Sequence, residues 1–88
     1  MEVNLKTGEV RIGNRKYNLT PYETRALNCL NRNGVVTYAE LYKAIYGVEV
    51  EDISYSETRR INVFVWRLKQ KTKLNIITRN RYGYELGE

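Results

Sequence analysis

The sequence predicts an α+β domain spanning residues 1–88: a small N-terminal antiparallel sheet, three helices and a C-terminal β-hairpin. Three observations give that order. Short alternating segments separated by "KTGE" and "GN" occupy the start of the chain. Thr20/Glu23, Thr37/Glu40 and Ser54/Glu57 each form a Ser/Thr-x-x-Glu box just ahead of apolar residues at helical spacing. Alternation then returns in "NIITRNRYGYELGE", so strands flank the helices and a pure helical bundle is excluded.

The opening stretch is expected to form a meander through Val3–Leu5, Val10–Ile12 and Lys16–Leu19. Leu5, Val10, Ile12, Tyr17 and Leu19 supply most of its apolar surface. The first helix takes Thr20 as N-cap and Pro21 as its first residue, where a missing N–H costs no hydrogen bond. Ala26, Leu27 and Leu30 recur on one side, and Asn33-Gly34 ends the helix. A short extended piece leads into the second helix, with Leu41, Ala44 and Ile45 on one face and Gly47 as the stop. Two short helices joined by a tight glycine-containing connection open a helix-turn-helix.

An acidic loop, "VEVEDISYS", comes next. Ser54 and Ser56 compete as N-cap of the third helix, Ser54 making the better box with Glu57. That helix is expected over about 56–71, and the hairpin over about 76–86 with its bend at Arg79–Gly83.

Several chemistries are disfavoured. The chain has no histidine, so it has neither an imidazole base nor a histidine ligand for zinc. Its ten acids show no spacing suited to acid/base work, and no Gly-rich phosphate loop is present. Neither an enzyme nor a cofactor or metal is expected. No apolar run approaches the roughly 20 residues of a membrane span, and "MEVNLKTGEV" lacks the layout of a secretory signal. The lone Cys29 cannot form an internal disulfide, which points to a reducing, cytoplasmic setting. It reads as a buried or half-buried helix residue.

Charge is the sharpest signal. Residues 1–52 hold seven basic and seven acidic side chains, whereas residues 53–88 hold eight basic and three acidic, the whole of the +5 net charge. From Arg59 to Arg81 there are eight cations and no acid. Solvated surfaces mix their signs, so this block reads as the footprint of a polyanion.

Within the block, "RRINVFVWRLKQK" carries four apolar residues in succession. At about 100° per residue, Ile61, Phe64, Val65, Leu68 and Thr72 share a buried arc. Arg59, Arg60, Val63, Trp66, Arg67 and Gln70 lie opposite, with Asn62 on the margin. A DNA major groove suits cations set around an aliphatic and an indole. Arg grips guanine N7 and O6, an apolar side chain such as Val63 or Trp66 meets a thymine methyl, and Asn62 reads an adenine edge. Arg60 and Lys71 suit the phosphate walls. The alternative for Val63 and Trp66 is packing under the hairpin or against the second helix.

The pattern "LTPYE…GVVTYAELYKAIYG…RRINVFVWRLKQK…IITRNRYGYEL" resembles, along the whole chain, the OmpR/PhoB-type winged-helix DNA-binding (C-terminal effector) domain. The likeness rests on the order and spacing of "LT..E" at Leu19–Glu23, "LYKAIYG", the Val65–Lys69 register and Gly83-Tyr84. It implies a sequence-specific double-stranded DNA binder, a transcriptional regulator associated with the nucleoid. The third helix would enter the major groove, and the hairpin would be a wing on the minor groove or backbone. Asn62, Val63 and Arg67 fall where the family reads bases; Arg59, Lys69 and Thr78 fall where it holds phosphates. Tyr46 replaces a tryptophan that touches the backbone, and residues 48–55 match a segment some members use to touch RNA polymerase. Binding as a head-to-tail pair of copies is likewise implied.

The departures are specific. Thr24 stands where a core aromatic is usual, and Trp66 where a basic or polar residue is common. In the wing, Asn80 replaces a frequent arginine, which shifts minor-groove reading to Arg79 or Arg81. The 88 residues contain no receiver domain; were they the whole protein, phosphorylation would not gate it through one. A different class of function is a winged-helix interaction module docking on RNA polymerase or another regulator, which the eight tyrosines favour. Eight cations without an acid speak against that reading. A third, RNA or single-strand binding, needs Tyr82 and Tyr84 as stacking platforms, yet one of them is expected to face the core.

Overall fold

The first strand, β1 (Glu2–Val3), stops sooner than the alternation predicts because Asn4 closes a turn. Its Oδ1 accepts from the backbone N–H groups of Lys6 (3.0 Å) and Thr7 (3.2 Å), and its carbonyl accepts from Gly8. Leu5, expected to help line the sheet, therefore sits in that turn and is 55% exposed. β1 pairs antiparallel with β2 (Glu9–Ile12), which pairs with β3 (Arg15–Asn18). The register sets Val3, Val10 and Tyr17 side by side across the sheet. Of these Val10 is fully buried, and Leu19 follows it into the core just beyond β3.

The computed structural model describes residues 1–87 and is an α+β fold, three helices with two small antiparallel sheets. The helices are α1 (Pro21–Arg32), α2 (Tyr38–Tyr46) and α3 (Tyr55–Thr72). All three begin with a complete capping box, from Thr20/Glu23, Thr37/Glu40 and Ser54/Glu57. Each cap contributes about 1 kcal/mol by satisfying N–H groups that the helix cannot. Ser54 rather than Ser56 is the cap of α3, so that helix runs one residue further at each end than expected. Gly47 ends α2 at φ 74°, a left-handed conformation glycine adopts without a steric penalty.

The apolar stripes of the helices meet in one core: Leu27 and Leu30 from α1, Leu41 and Ile45 from α2, and Ile61, Val65 and Leu68 from α3. Each such side chain contributes about 1.5–3 kcal/mol relative to leaving it in water. Ala44 and Phe64, placed in the core by periodicity, are only half-buried, as is Cys29. Thr24 is buried, and its hydroxyl donates to the carbonyl of Thr20 at 2.8 Å.

A second sheet links the α1–α2 connection to the end of the chain. β4 (Val36–Thr37) lies beside β6 (Gly83–Leu86), which pairs on its other side with β5 (Ile76–Arg79). Gly83 makes this possible. A Cβ there would stand 1.7 Å from the Val36 carbonyl oxygen, so only glycine lets β6 lie against β4. The backbone N–H of Tyr38 donates to the Tyr82 carbonyl at 3.1 Å, carrying the pairing onto the start of α2. Among the described residues, no helix is long and apolar enough to cross a membrane, and no group of acidic, cysteine or histidine side chains gathers in a way that suits a metal ion.

Candidate nucleic-acid interface

Helix α3 buries one arc and exposes the other. Val63 is 44% exposed and Trp66 61%, so neither is packed away under the hairpin or α2. Two clefts flank this arc. The first lies toward α2, where Tyr46 faces Ser56, Arg59, Arg60, Val63 and Arg67. The second lies toward the hairpin, where Thr78, Tyr38 and Tyr84 face Asn62, Trp66 and Lys69. Nine of the residues singled out from sequence line one cleft or the other.

The α2-side cleft has an aromatic wall. The Tyr46 ring lies 4.7 Å from that of Tyr42 and 5.4 Å, edge-on, from that of Tyr22. Arg25 fastens the wall by donating to the Ile45 carbonyl (3.3 Å), with its guanidinium 5.8 Å from the Tyr22 centroid. Burial pushes the Tyr46 phenol up, against the pull of the nearby Arg60 charge, so its hydroxyl stays a neutral donor. Among the described residues, no carboxylate lies within 4.0 Å of Arg59, Arg60 or Arg67.

The hairpin-side cleft is organised by hydrogen bonding. Tyr84 is buried, its ring 5.5 Å from Tyr38 and nearly perpendicular to it, and its hydroxyl donates to Asn62 Oδ1. Burial, with a smaller contribution from Tyr38, pushes the Tyr84 phenol up to about 12. Tyr82, two residues earlier, lies in the turn ahead of β6 and is 53% exposed, so one tyrosine faces inward and one outward because Tyr82 has not yet entered the strand. Lys69 is half-buried and has no carboxylate partner among the described residues.

The fold rearranges the cationic block. Lys71 Nζ lies 3.0 Å from Glu23 Oε1, the oxygen that also completes the capping box of α1. Arg79 donates from Nε to Glu85 Oε2 at 3.0 Å, and its Nη2 lies 2.9 Å from the same oxygen. Two of the eight cations therefore meet acids that the linear sequence keeps outside the block, and the expectation of an acid-free surface is corrected for Lys71 and Arg79. Beyond Arg79, a turn closes by the Tyr82 N–H to Arg79 carbonyl bond (3.0 Å), with Arg81 at φ 57°. Asn80 and Arg81 are exposed at its tip and line neither cleft.

No family model matches the chain, and no curated protein matches it.

Four residues of the site were not found from sequence as parts of it: Tyr38, Ser56, Glu23 and Glu85. Tyr84 reads from sequence only as a core or stacking candidate. The Glu23–Lys71 pair spans 48 positions and leaves no local trace. The Arg79–Glu85 pair spans six positions across a bend and is readable once the hairpin is drawn. The loop after α2 is tied down at its start by Lys43 Nζ to Glu49 Oε1 (2.7 Å), which holds the Glu49 carboxyl below the usual range. Val48 and Tyr55 remain exposed at its ends.

Proposed function

We propose that the chain is a winged-helix, OmpR/PhoB-type binder of double-stranded DNA and a transcriptional regulator. In this reading α3 lies in the major groove and the β5–β6 hairpin is the wing. The observation that carries it is the exposed arc of α3: Arg59, Arg60 and Arg67 surround Val63 with no carboxylate in reach among the described residues. Such a face matches phosphate walls and a groove floor of guanine acceptors and thymine methyls. Arg67, Val63, Trp66 and Asn62 read bases. Arg59, Arg60, Tyr46, Lys69 and Thr78 hold the backbone, and Arg81 with Asn80 supplies the wing contact. Lys71 and Arg79 contribute less than their charge suggests, because Glu23 and Glu85 hold them.

The test is a titration of mixed-sequence duplex at two salt concentrations, followed by site selection from a random duplex pool. Affinity should fall steeply with salt, by about 0.9 in log–log slope for each phosphate neutralised. A recovered motif would also show whether copies bind head to tail. Salt-independent or absent duplex binding would sink the reading.

A second reading has its own observation. Tyr55 is 80% and Val48 54% exposed at the ends of an acidic loop, a surface that suits protein docking, with RNA polymerase the partner the family resemblance suggests. Binding there would survive loss of Arg59, Arg60 and Arg67.

A further inference from the structure

We propose that Tyr84 is a positioning residue for Asn62: from β6 its hydroxyl holds the Asn62 carboxamide by the oxygen, leaving the Nδ2 amide turned toward the groove. This rests on the duplex reading above and says how that site chooses its base.

An asparagine standing alone on a helix can exchange its oxygen and amide ends by rotation, and the two ends read different base atoms. Asn62 is not alone. Tyr84 is fixed by its sheet, paired in register with Val36 on one side and Thr78 on the other, and its ring abuts Tyr38. The donor therefore comes from a rigid strand, and the oxygen of Asn62 is the end it selects. Gly83 maintains the geometry, because any larger residue would push β6 off β4 and carry the Tyr84 hydroxyl with it.

The consequence is a change of preferred base. Adenine reading by asparagine uses oxygen and amide together, the oxygen accepting from N6 and the amide donating to N7. With its oxygen held on the Tyr84 side, Asn62 presents its amide end, two N–H donors, to the groove. Those fit acceptors: a purine N7, guanine O6 or thymine O4. Trp66, Lys69 and Thr78 share the cleft and bring an apolar surface, a cation and a hydroxyl to the same edge.

The experiment starts from the site recovered by the wild-type chain from random duplex. Affinities of wild type, Tyr84→Phe, Asn62→Ala, Asn62→Asp and the Tyr84→Phe/Asn62→Ala double variant are measured on three probes: that duplex, its single-base-pair variants and a mixed-sequence duplex. Melting temperatures are recorded alongside. Asn62→Ala should lower discrimination at one base pair by about tenfold. Tyr84→Phe, which keeps the ring packing, should lower it at the same pair by about threefold, with mixed-sequence affinity unchanged. The double variant should be no worse than Asn62→Ala, because both changes remove one device. Asn62→Asp keeps an acceptor for Tyr84 but loses the outward donors, so it should lose discrimination at that pair too.

The positioning role is overturned if Tyr84→Phe discriminates like wild type, or weakens all duplexes equally alongside a lower melting temperature. Retained discrimination by Asn62→Asp overturns it as well. If the wild-type chain recovers no site and prefers no duplex, the DNA reading has failed and the positioning role falls with it.

Discussion

The two clefts beside α3 are built on different physics. Toward α2, three arginines crowd a tyrosine wall, and the contacts are those of charge and flat aromatic surface. Toward the hairpin there is one lysine, Lys69, and the organising contact is a neutral hydrogen bond from a buried tyrosine. Long arginine side chains tolerate small displacements of their ends, whereas a hydrogen bond from a fixed strand does not. In the proposed complex, then, affinity should reside mainly on the α2 side and geometric precision on the hairpin side. On the proposed function, one helix would divide binding from discrimination by what its neighbours place on either flank.

The most damaging test strikes the hairpin side through the backbone. Gly83→Ala sets a Cβ against the Val36 carbonyl, where main chain rather than a flexible side chain must yield. The cost should be about 3 kcal/mol, the upper range for overpacking, read as a lower urea midpoint. Melting should drop by roughly 10 °C or more for a domain of this size. Wild-type stability in this variant would show that β6 is not held against β4 as described, and the hairpin-side cleft would lose its frame.

Next in size is the α2 side. Arg67→Ala should cost about 1–3 kcal/mol on a selected duplex and relax choice at one base pair. Arg60→Ala should weaken selected and random duplexes alike. If Arg67→Ala lowers both equally, Arg67 is a backbone contact, and discrimination would lie with Asn62 and Trp66 on the hairpin side and with Val63 alone on the α2 side.

What was readable from the chain divides by distance in sequence. The three helix starts were legible because a capping box needs only residues three apart, and all three boxes are complete. The exposed arc of α3 was legible because helical periodicity alone turns Val63 and Trp66 away from Ile61, Val65 and Leu68. The pairing of β4 with β6 was not. Val36 and Thr37 are two residues, too few to show alternation, and their partner lies beyond both later helices. For the same reason the acids that meet Lys71 and Arg79 were invisible in a count of charges along the block. Leu5 was misplaced because its apolar character fits a strand, while the side chain of Asn4 had already turned the backbone. The candidate site was thus legible as a face, and illegible as a set of free and occupied charges.

That distinction yields a smaller effect. Lys69 and Lys71 are two residues apart and look equivalent in sequence. Lys69→Ala should flatten the log–log salt dependence of duplex binding by about 0.9, the loss of one phosphate contact. Lys71→Ala should leave the slope near that of wild type, since Glu23 already neutralises it. Equal changes in slope would mean that the Glu23 pair opens on DNA.

The smallest effect is one of pH, and it separates the anchoring of α3 from both clefts. Burial acts to raise the Glu23 carboxyl, but hydrogen bonds from the Thr20 backbone and Lys71 outweigh it and hold the group below its ordinary value of 4.5. A carboxyl lowered in the folded state stabilises the fold above its ordinary value, and that contribution fades as pH falls through the folded value. Glu40 and Glu57 shift the same way, each led by the backbone N–H of its own N-cap, Thr37 and Ser54. Melting temperature should therefore decline as pH is lowered below about 4.5. Glu23→Gln keeps an oxygen for the Thr20 N–H but removes the charge that holds Lys71. At neutral pH it should be less stable than wild type by under about 1 kcal/mol, as for a partly exposed ion pair. That gap should close in acid, where wild-type Glu23 is itself neutral. A gap that stays constant from neutral pH into acid would assign the loss to packing, and the Lys71–Glu23 link would no longer count as what fastens the end of α3 to the start of α1.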